Sequence, residues 1–311
     1  MNITEIKQKI ENGAFDKDFT MLYGDVSAAR ARYSAACDSF CGIFPERDGI
    51  RLFSAPGRTE VGGNHTDHQH GCVLAGGVNL DVIAVVAPNN DGKVRIKSEG
   101  YDMDVIDIAE LEKNEAEHGR ASALIRGVLS RFKELGCTLS GFNAYTTSNV
   151  LKGSGLSSSA AFEVLVGNII NGMFFENKAD EITIAKIGQY AEREYFGKPC
   201  GLLDQMASSL GGFTYADFFD PSEPITEKIN LDIHSFGYTL CVVDTGGNHA
   251  NLTQDYADIT IECKKISNAL GVDFLRDADS DRFYKSIPEL RRSCGDRAVL
   301  RAFHIYADND R

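Results

Sequence analysis

Residues 153–175 read GSGLSSSAAFEVLVGNIINGMFF, a glycine- and serine-rich loop that runs straight into one long apolar helix. Gly153 and Gly155 permit positive φ and a close backbone approach, and Ser157, Ser158 and Ser159 place hydroxyls where the helix must begin. A helix start presents unpaired N–H groups and the positive end of its dipole, which suits a phosphate. A plain turn with serine caps is the alternative, although capping takes one serine and three follow the glycines here. The run is not a Walker A loop, since no G-K-[ST] follows, and its glycine spacing is not that of the dinucleotide fingerprint.

A second stretch, SAPGRTEVGGNHTDHQHG at residues 54–71, concentrates hydrogen-bonding groups. Pro56 and four glycines exclude a helix interior, and the polarity exceeds that of a plain core strand, so it reads as a loop. His65, His68 and His70 have a spacing that could hold zinc, or they could pack and face water. Two carboxylates invite a similar choice. Asp204 sits among Leu202, Leu203 and Met206 in PCGLLDQ, where it could be a perturbed base or an acidic residue supporting a helix dipole. Glu192, in AEREY, reads by itself as part of a solvated helix face.

With 311 residues, 43% of them hydrophobic, the chain is long enough for two domains and a sizeable core. A net charge of −13 argues against nucleic acid as the main partner, while leaving room for a phosphorylated small ligand held by backbone N–H groups. Eight scattered cysteines without a C-x-x-C pair read as reduced thiols of a cytoplasmic protein. No signal-type apolar segment or 18-residue apolar run is found, so no membrane partner is expected.

Periodicity predicts helices over residues 1–45, with Thr4 capping the first, and further helices over RASALIRGVLSRFKELG and DEITIAKIGQYAEREYFG. IRLFSAPGR reads as a strand entering the polar loop, followed by strands in CVLAGGVNLDVIAVVAPN, KVRIKSEG and GFNAYTTSNV. GYTLCVVDTGGNHANL reads as a buried strand entering a glycine loop. Strands and helices mix without a regular βαβ alternation, so the fold class is α+β.

The segments APGR…HTD, GSGLSSSAA and CGLLDQ occur in the order in which they stand in the GHMP kinases, and within them the chain resembles the galactokinases. The resemblance runs over about residues 20–310. It implies a two-domain fold: a ribosomal-protein-S5-domain-2-like N-terminal domain over 1–220 and a ferredoxin-like C-terminal domain over 221–311. The C-terminal domain is expected to be incomplete, because no third glycine-rich motif precedes Arg311.

The resemblance also implies roles. Asp204 would orient or deprotonate the C1 hydroxyl of a sugar, with Arg58 stabilising charge beside it. His65, Asp67, Gly201 and Tyr256 would bind the sugar. Gly153, Ser154, Gly155, Leu156, Ser157, Ser158 and Ser159 would wrap the phosphates of ATP, and Ser159 and Glu192 match the Mg²⁺ ligands. The implied activity is an ATP-dependent sugar 1-kinase acting on galactose or a close relative. Four positions depart from the signature: Glu60 stands for an Asn, Gly62 for an Ile, His68 for a Tyr, and Asn64 for the Glu that contacts the C6 side of the sugar. An amide tolerates a C6 carboxylate that a Glu would repel, so a galacturonate kinase is the alternative, unless Glu60 reaches the same pocket. A weakly catalytic sugar- and ATP-binding regulator, or an inactive fragment, is a further alternative. The unaltered GLSSSAA run, together with Asp204 and Arg58, favours an enzyme.

Overall fold

The run DVIAVVAP lies in strand β2 (Cys72–Pro88), which is buried on both faces, and the rest of the first domain is organised about it. The computed structural model describes residues 1–150, 153–243 and 253–310. Val82, Ala84 and Val86 point into one core and Ile83, Val85 and Ala87 into another, as the two-residue period of a strand requires. Cover on both faces explains why this segment is continuously apolar rather than alternating. The first face packs helices α4 (Ala121–Glu134), α5 (Ser158–Phe174) and α6 (Glu181–Tyr190), through Phe132, Val164 and Ile187 among others. The second packs α1 (Ile3–Glu11), α2 (Asp16–Tyr23) and α3 (Val26–Ile43), through Ile6, Phe19 and Phe40.

The sheet has β1 (Arg51–Gly62) along one side of β2. Along its other side lie β5 (Phe142–Ser148) at the C-terminal half and β6 (Phe213–Asp217) at the N-terminal half. Strand β3 (Lys93–Ser98) pairs parallel with β5 and antiparallel with β4 (Met103–Asp107), and β7 (Ile225–Ile229) closes the other edge against β6. The fold is thus mixed α and β without βαβ repetition, the expected α+β class.

Several local expectations are corrected. The 54–71 stretch is not wholly a loop: β1 continues through it to Gly62, with register shifts between Pro56 and Arg58 and between Glu60 and Gly62. Those bulges absorb Pro56, which cannot donate to the ladder, and place Gly57 and Arg58 consecutively on buried ground. The cap of α1 is Asn2, whose side chain accepts from the Thr4 N–H while Glu5 reciprocates, a capping box two residues ahead of the expected Thr4. Gly24, at φ +73°, separates α2 from α3, which is capped anew by Asp25. The segment expected as a buried strand is irregular and exposed over Tyr238–Val243, and its remainder lies outside the described residues. The sheet ends at β7, so no described strand lies beside this segment to pair with it. Strands β4, β6 and β7 were not legible because MDVID, FTYAD and ITEKI are short and polar-interrupted.

Past β7 the described residues form a helical layer with its own core. Helices α8 (Thr253–Ala269), α9 (Ser280–Cys294) and α10 (Asp296–Asn309) pack Ile266, Phe283, Leu290 and Ala302 together. Helix α7 itself (Leu203–Leu210) lies earlier, against β1 and β2, through Leu203, Met206 and Ala207. Because β7 pairs with β6 beyond residue 220, we propose that the first unit extends to Ile229.

Ile83 is fully buried between β2 and the α1–α3 layer. Ile83→Ala is expected to lose about 2–5 kcal/mol of stability, read as a lower urea midpoint, through lost transfer energy and the cavity left behind.

Candidate active site

The bulge in β1 turns Arg58 inward beneath the Gly/Ser loop. Its backbone N–H donates to the Leu156 carbonyl at 3.0 Å, and its Nη1 donates to the Gly155 carbonyl. Gly57 makes this approach possible, since a Cβ there would lie 3.0 Å from the Leu156 oxygen. From α7, Asp204 Oδ1 accepts from Arg58 Nε at 2.7 Å and lies 2.6 Å from Nη2, while Glu60 Oε1 lies 3.1 Å from Nη2. Burial disfavours the guanidinium, but Asp204 and Glu60 more than offset it and hold Arg58 above its ordinary value. The same balance acts on Asp204. Burial pushes its carboxyl up, yet the Arg58 charge, then His65 and hydrogen bonds from Ser157 and Arg58, bring it below the ordinary range. Asp204 is therefore an ionised acceptor at neutral pH. Glu60 goes the other way: burial, joined by Asp204 and Asp67, raises it despite His65 and Arg58.

Ser157 adopts the left-handed conformation at φ +56°, and its hydroxyl donates to Asp204 Oδ2 at 2.6 Å instead of capping α5. The strained residue thus joins the loop to the carboxylate. Ser158 and Ser159 begin the helix, and Gly153 and Gly155 hold positive φ ahead of it. Ser159 Oγ donates to Glu192 Oε1 at 3.0 Å. Glu192 is not on a solvated face: it is only 2% exposed, in a π-helical turn (Ala191–Phe196) that continues α6. The wider turn rotates residues 191–196 away from the α-helical period, which is why the sequence pattern misassigned Glu192.

The polar loop closes over the same centre. His65 Nε2 lies 3.3 Å from Glu60 Oε1, and the Thr66–His70 segment is wound into a short 3₁₀ turn. Asp67 Oδ2 accepts the Leu203 N–H at 3.0 Å, at the start of α7. Gly201 is required beside it, since a Cβ at Gly201 would meet Asp67 Oδ2 at 1.7 Å. Asn64 is exposed at the rim; its N–H donates to Asp308 Oδ2 at 2.6 Å and its carbonyl contacts His304 Nε2 at 2.9 Å, both from α10. Arg58, Glu60, His65 and Gly155 line a cavity of about 300 Å³ that Ile259 and His304 close from the C-terminal helices. The Tyr256 side chain and the loop before it lie outside the described residues.

The three histidines do not converge. His70 stacks on Phe274 with ring centroids 3.6 Å apart, whereas the group with metal-ligating geometry among the described residues is Glu60, His65 and Asp204. Arg58 already bonds both carboxylates of that group. Sequence reasoning missed four residues of the site. Gln205 Nε2 donates to Glu192 Oε2 at 2.8 Å and to Glu163 Oε2 at 2.9 Å, deep in the core. Lys198 Nζ donates to Glu192 Oε1 at 2.9 Å, and His304 arrives from α10. A buried Glu inside an apolar helix was the one available signal; it pointed to Glu163, whose burial beside Glu192 raises its carboxyl well above the ordinary range.

A part-buried carboxylate paired with an Arg thus lies at the foot of a helix-opening Gly/Ser loop, whose free N–H groups suit a phosphate. The family profile for the GHMP kinases N terminal domain matches residues 123–212. The profile for the galactokinase galactose-binding signature matches residues 38–88. The chain is 31% identical over 268 residues to a galactokinase of Lactobacillus helveticus, covering 84% of this chain and 67% of the relative. It is 30% identical over 262 residues to that of Streptomyces coelicolor, covering 84% and 66%. The chain belongs to the galactokinase family. Its fold superposes on the crystal structure of Lactococcus lactis galactokinase complexed with galactose with a TM-score of 0.72 at 22% identity, over 89% of this chain and 72% of that one. The chain spans about two thirds of the length of the curated relatives it matches.

Replacing Arg58 by Met removes the guanidinium shared by two part-buried carboxylates and is expected to cost about 3–5 kcal/mol at pH 7. A carboxyl held low in the folded state stabilises above its unfolded value and loses that contribution as pH falls through its folded value. The gap between wild type and Arg58→Met should therefore shrink as pH drops below about 4, which urea unfolding at a series of pH values would read. Gly201→Ala should displace Asp67 from the Leu203 N–H and cost about 1–3 kcal/mol, read as a lower urea midpoint.

Proposed function

We propose that the chain is an ATP-dependent sugar 1-kinase that transfers the γ-phosphoryl group to the C1 hydroxyl of galactose or a close relative. One observation carries this reading: Asp204 receives Arg58 on one oxygen and Ser157 of the phosphate loop on the other, so acceptor carboxylate and loop share a hydrogen bond. Each carboxylate oxygen can accept more than one bond, so Asp204 Oδ2 retains capacity for a sugar hydroxyl.

The hydroxyl oxygen bonds to the γ-phosphorus, the bond from that phosphorus to the bridging β–γ oxygen breaks, and ADP leaves. The hydroxyl proton passes to Asp204 late, as charge on the attacking oxygen falls. An Asp held below its ordinary range is a weak base, so its main work is orientation, which phosphoryl transfer rewards. Arg58 offsets the charge on Asp204 and on the reacting group. The first turn of α5 and the backbone N–H groups of Gly153–Ser159 face the triphosphate. Ser159 and Glu192 are hard oxygen donors 3.0 Å apart and fit Mg²⁺, which when bound supplies charge neutralisation at the phosphates. His65, Asp67 and the Gly201 backbone recognise sugar hydroxyls.

A neutral hexose suits the charge of the cavity. Arg58 is already matched by Asp204 and Glu60, so its charge is not left over for a C6 carboxylate. Galactose is accordingly the leading substrate and galacturonate the second reading, supported by Asn64 at the rim. No helix among the described residues is long and apolar enough to cross a membrane, in keeping with a cytoplasmic site of action.

ADP release with Mg·ATP and galactose, galacturonate, N-acetylgalactosamine, glucose or no sugar tests the proposal. Turnover is expected with galactose, and Asp204→Asn should reduce it about 10²–10⁴-fold while sugar binding persists. Sugar-independent ADP release, or an unaffected Asp204→Asn, would remove the assigned mechanism.

A further inference from the structure

The π-helical turn that carries Glu192 ends at Gly197, in the left-handed conformation at φ +85°, and the Lys198 N–H returns to the Glu192 carbonyl at 3.1 Å. Lys198 is thereby placed directly over Glu192, and its side chain folds back so that Nζ lies 2.9 Å from Glu192 Oε1. That oxygen is the one that also accepts Ser159 Oγ, whereas Glu192 Oε2 is taken by Gln205 on the core side. The carboxylate thus has a buried rear, held by the wholly buried Gln205, and a front that faces the loop. Lys198 stands at the front with 43% of its side chain exposed against 2% for Glu192. An ammonium has three N–H donors, and among the described residues one is used on Glu192.

We propose that Lys198 is a further catalytic residue, whose ammonium binds the γ-phosphate of ATP. The argument rests on the kinase reading given above. A triphosphate bound along Gly153–Ser159 with its terminal phosphorus near the Asp204-bound hydroxyl must pass between Ser159 and Asp204, and Lys198 interacts electrostatically with Asp204 as well as with Glu192. The ammonium is a compact charge on a flexible four-carbon stem, so it can yield Glu192 Oε1 to Mg²⁺ and turn its donors to phosphate oxygens. In the phosphate's absence, Lys198 neutralises the buried Glu192, a charge that would be costly to leave alone. Negative charge spreads over the γ-phosphate oxygens as transfer proceeds, and a cation at that position stabilises it.

The experiment compares binding of the β,γ-imido analogue of ATP and of ADP, both with Mg²⁺, to wild type, Lys198→Met and Lys198→Arg, with steady-state kinetics alongside. Lys198→Met should bind the triphosphate analogue about 10- to 100-fold more weakly, as expected for loss of a charged hydrogen bond, and ADP within about twofold of wild type. Its kcat should fall while the KM for sugar holds, and Lys198→Arg should restore part of the triphosphate affinity. Equal weakening for both nucleotides, or no weakening of either, would overturn the proposal and leave Lys198 as a neutraliser of Glu192. If wild type binds neither nucleotide, the kinase reading falls and the Lys198 proposal with it; if it binds both and turns over, only the Lys198 proposal is at stake. Unchanged thermal midpoints of the variants exclude misfolding as the cause.

Discussion

Arg58 is the buried cation on which the site depends. A lone guanidinium at 5% exposure would cost several kcal/mol in desolvation, and its retention requires that every surrounding element deliver an acceptor. Strand β1 supplies Glu60, α7 supplies Asp204, and the Gly/Ser loop supplies the Gly155 carbonyl. Three segments distant in sequence are therefore held in one geometry by the need to compensate a single charge. The bulged register of β1 is the local device that makes this possible, since an unbroken ladder would have kept the alternation of faces and sent residues 57 and 58 to opposite sides.

A second centre lies a short way along the same loop and follows different logic. Glu192 is buried but satisfied on both oxygens, by Gln205 behind and by Ser159 and Lys198 in front. Glu163 is buried with Gln205 as its polar contact and without a cation of its own, so its carboxyl is driven up while that of Asp204 is held down. Neighbouring carboxyls are thus displaced in opposite directions: Arg58 holds Asp204 below its ordinary range, while burial beside Glu192 raises Glu163.

The C-terminal helices matter to the site although the one expected residue they carry, Tyr256 on α8, has its side chain outside the described residues. The end of α10 grips the polar loop through Asp308 on the Asn64 N–H and Asn309 on the Cys72 N–H at 2.6 Å, and Arg276 ties the bundle to Asp217 at 3.0 Å. These bonds fix backbone that would otherwise be free at a glycine-rich turn. They also bring His304 to the wall of the cavity opposite Arg58.

The sequence by itself determined the class of chemistry and most of the elements. Period-two and helical apolar patterns marked β2, α4 and α5. The Gly/Ser junction marked a helix start of the kind that suits an anion, and three ordered motifs named Arg58, Asp67, Ser159 and Asp204 together. Those signals are local, set by backbone sterics and by side chains within a turn or two of each other. Tertiary structure alone decided the rest. That β1 runs through the polar stretch depends on pairing with β2, and Tyr238–Val243 lies exposed for want of a neighbouring strand. Glu192 is buried by a π-turn that no apolar period encodes. The partners of Glu192 come from residues 159, 198 and 205, and the lid over the cavity comes from residues 259 and 304. Long-range pairing of charges and buried polar groups follows from what the whole fold excludes from water, and a linear pattern carries no record of that.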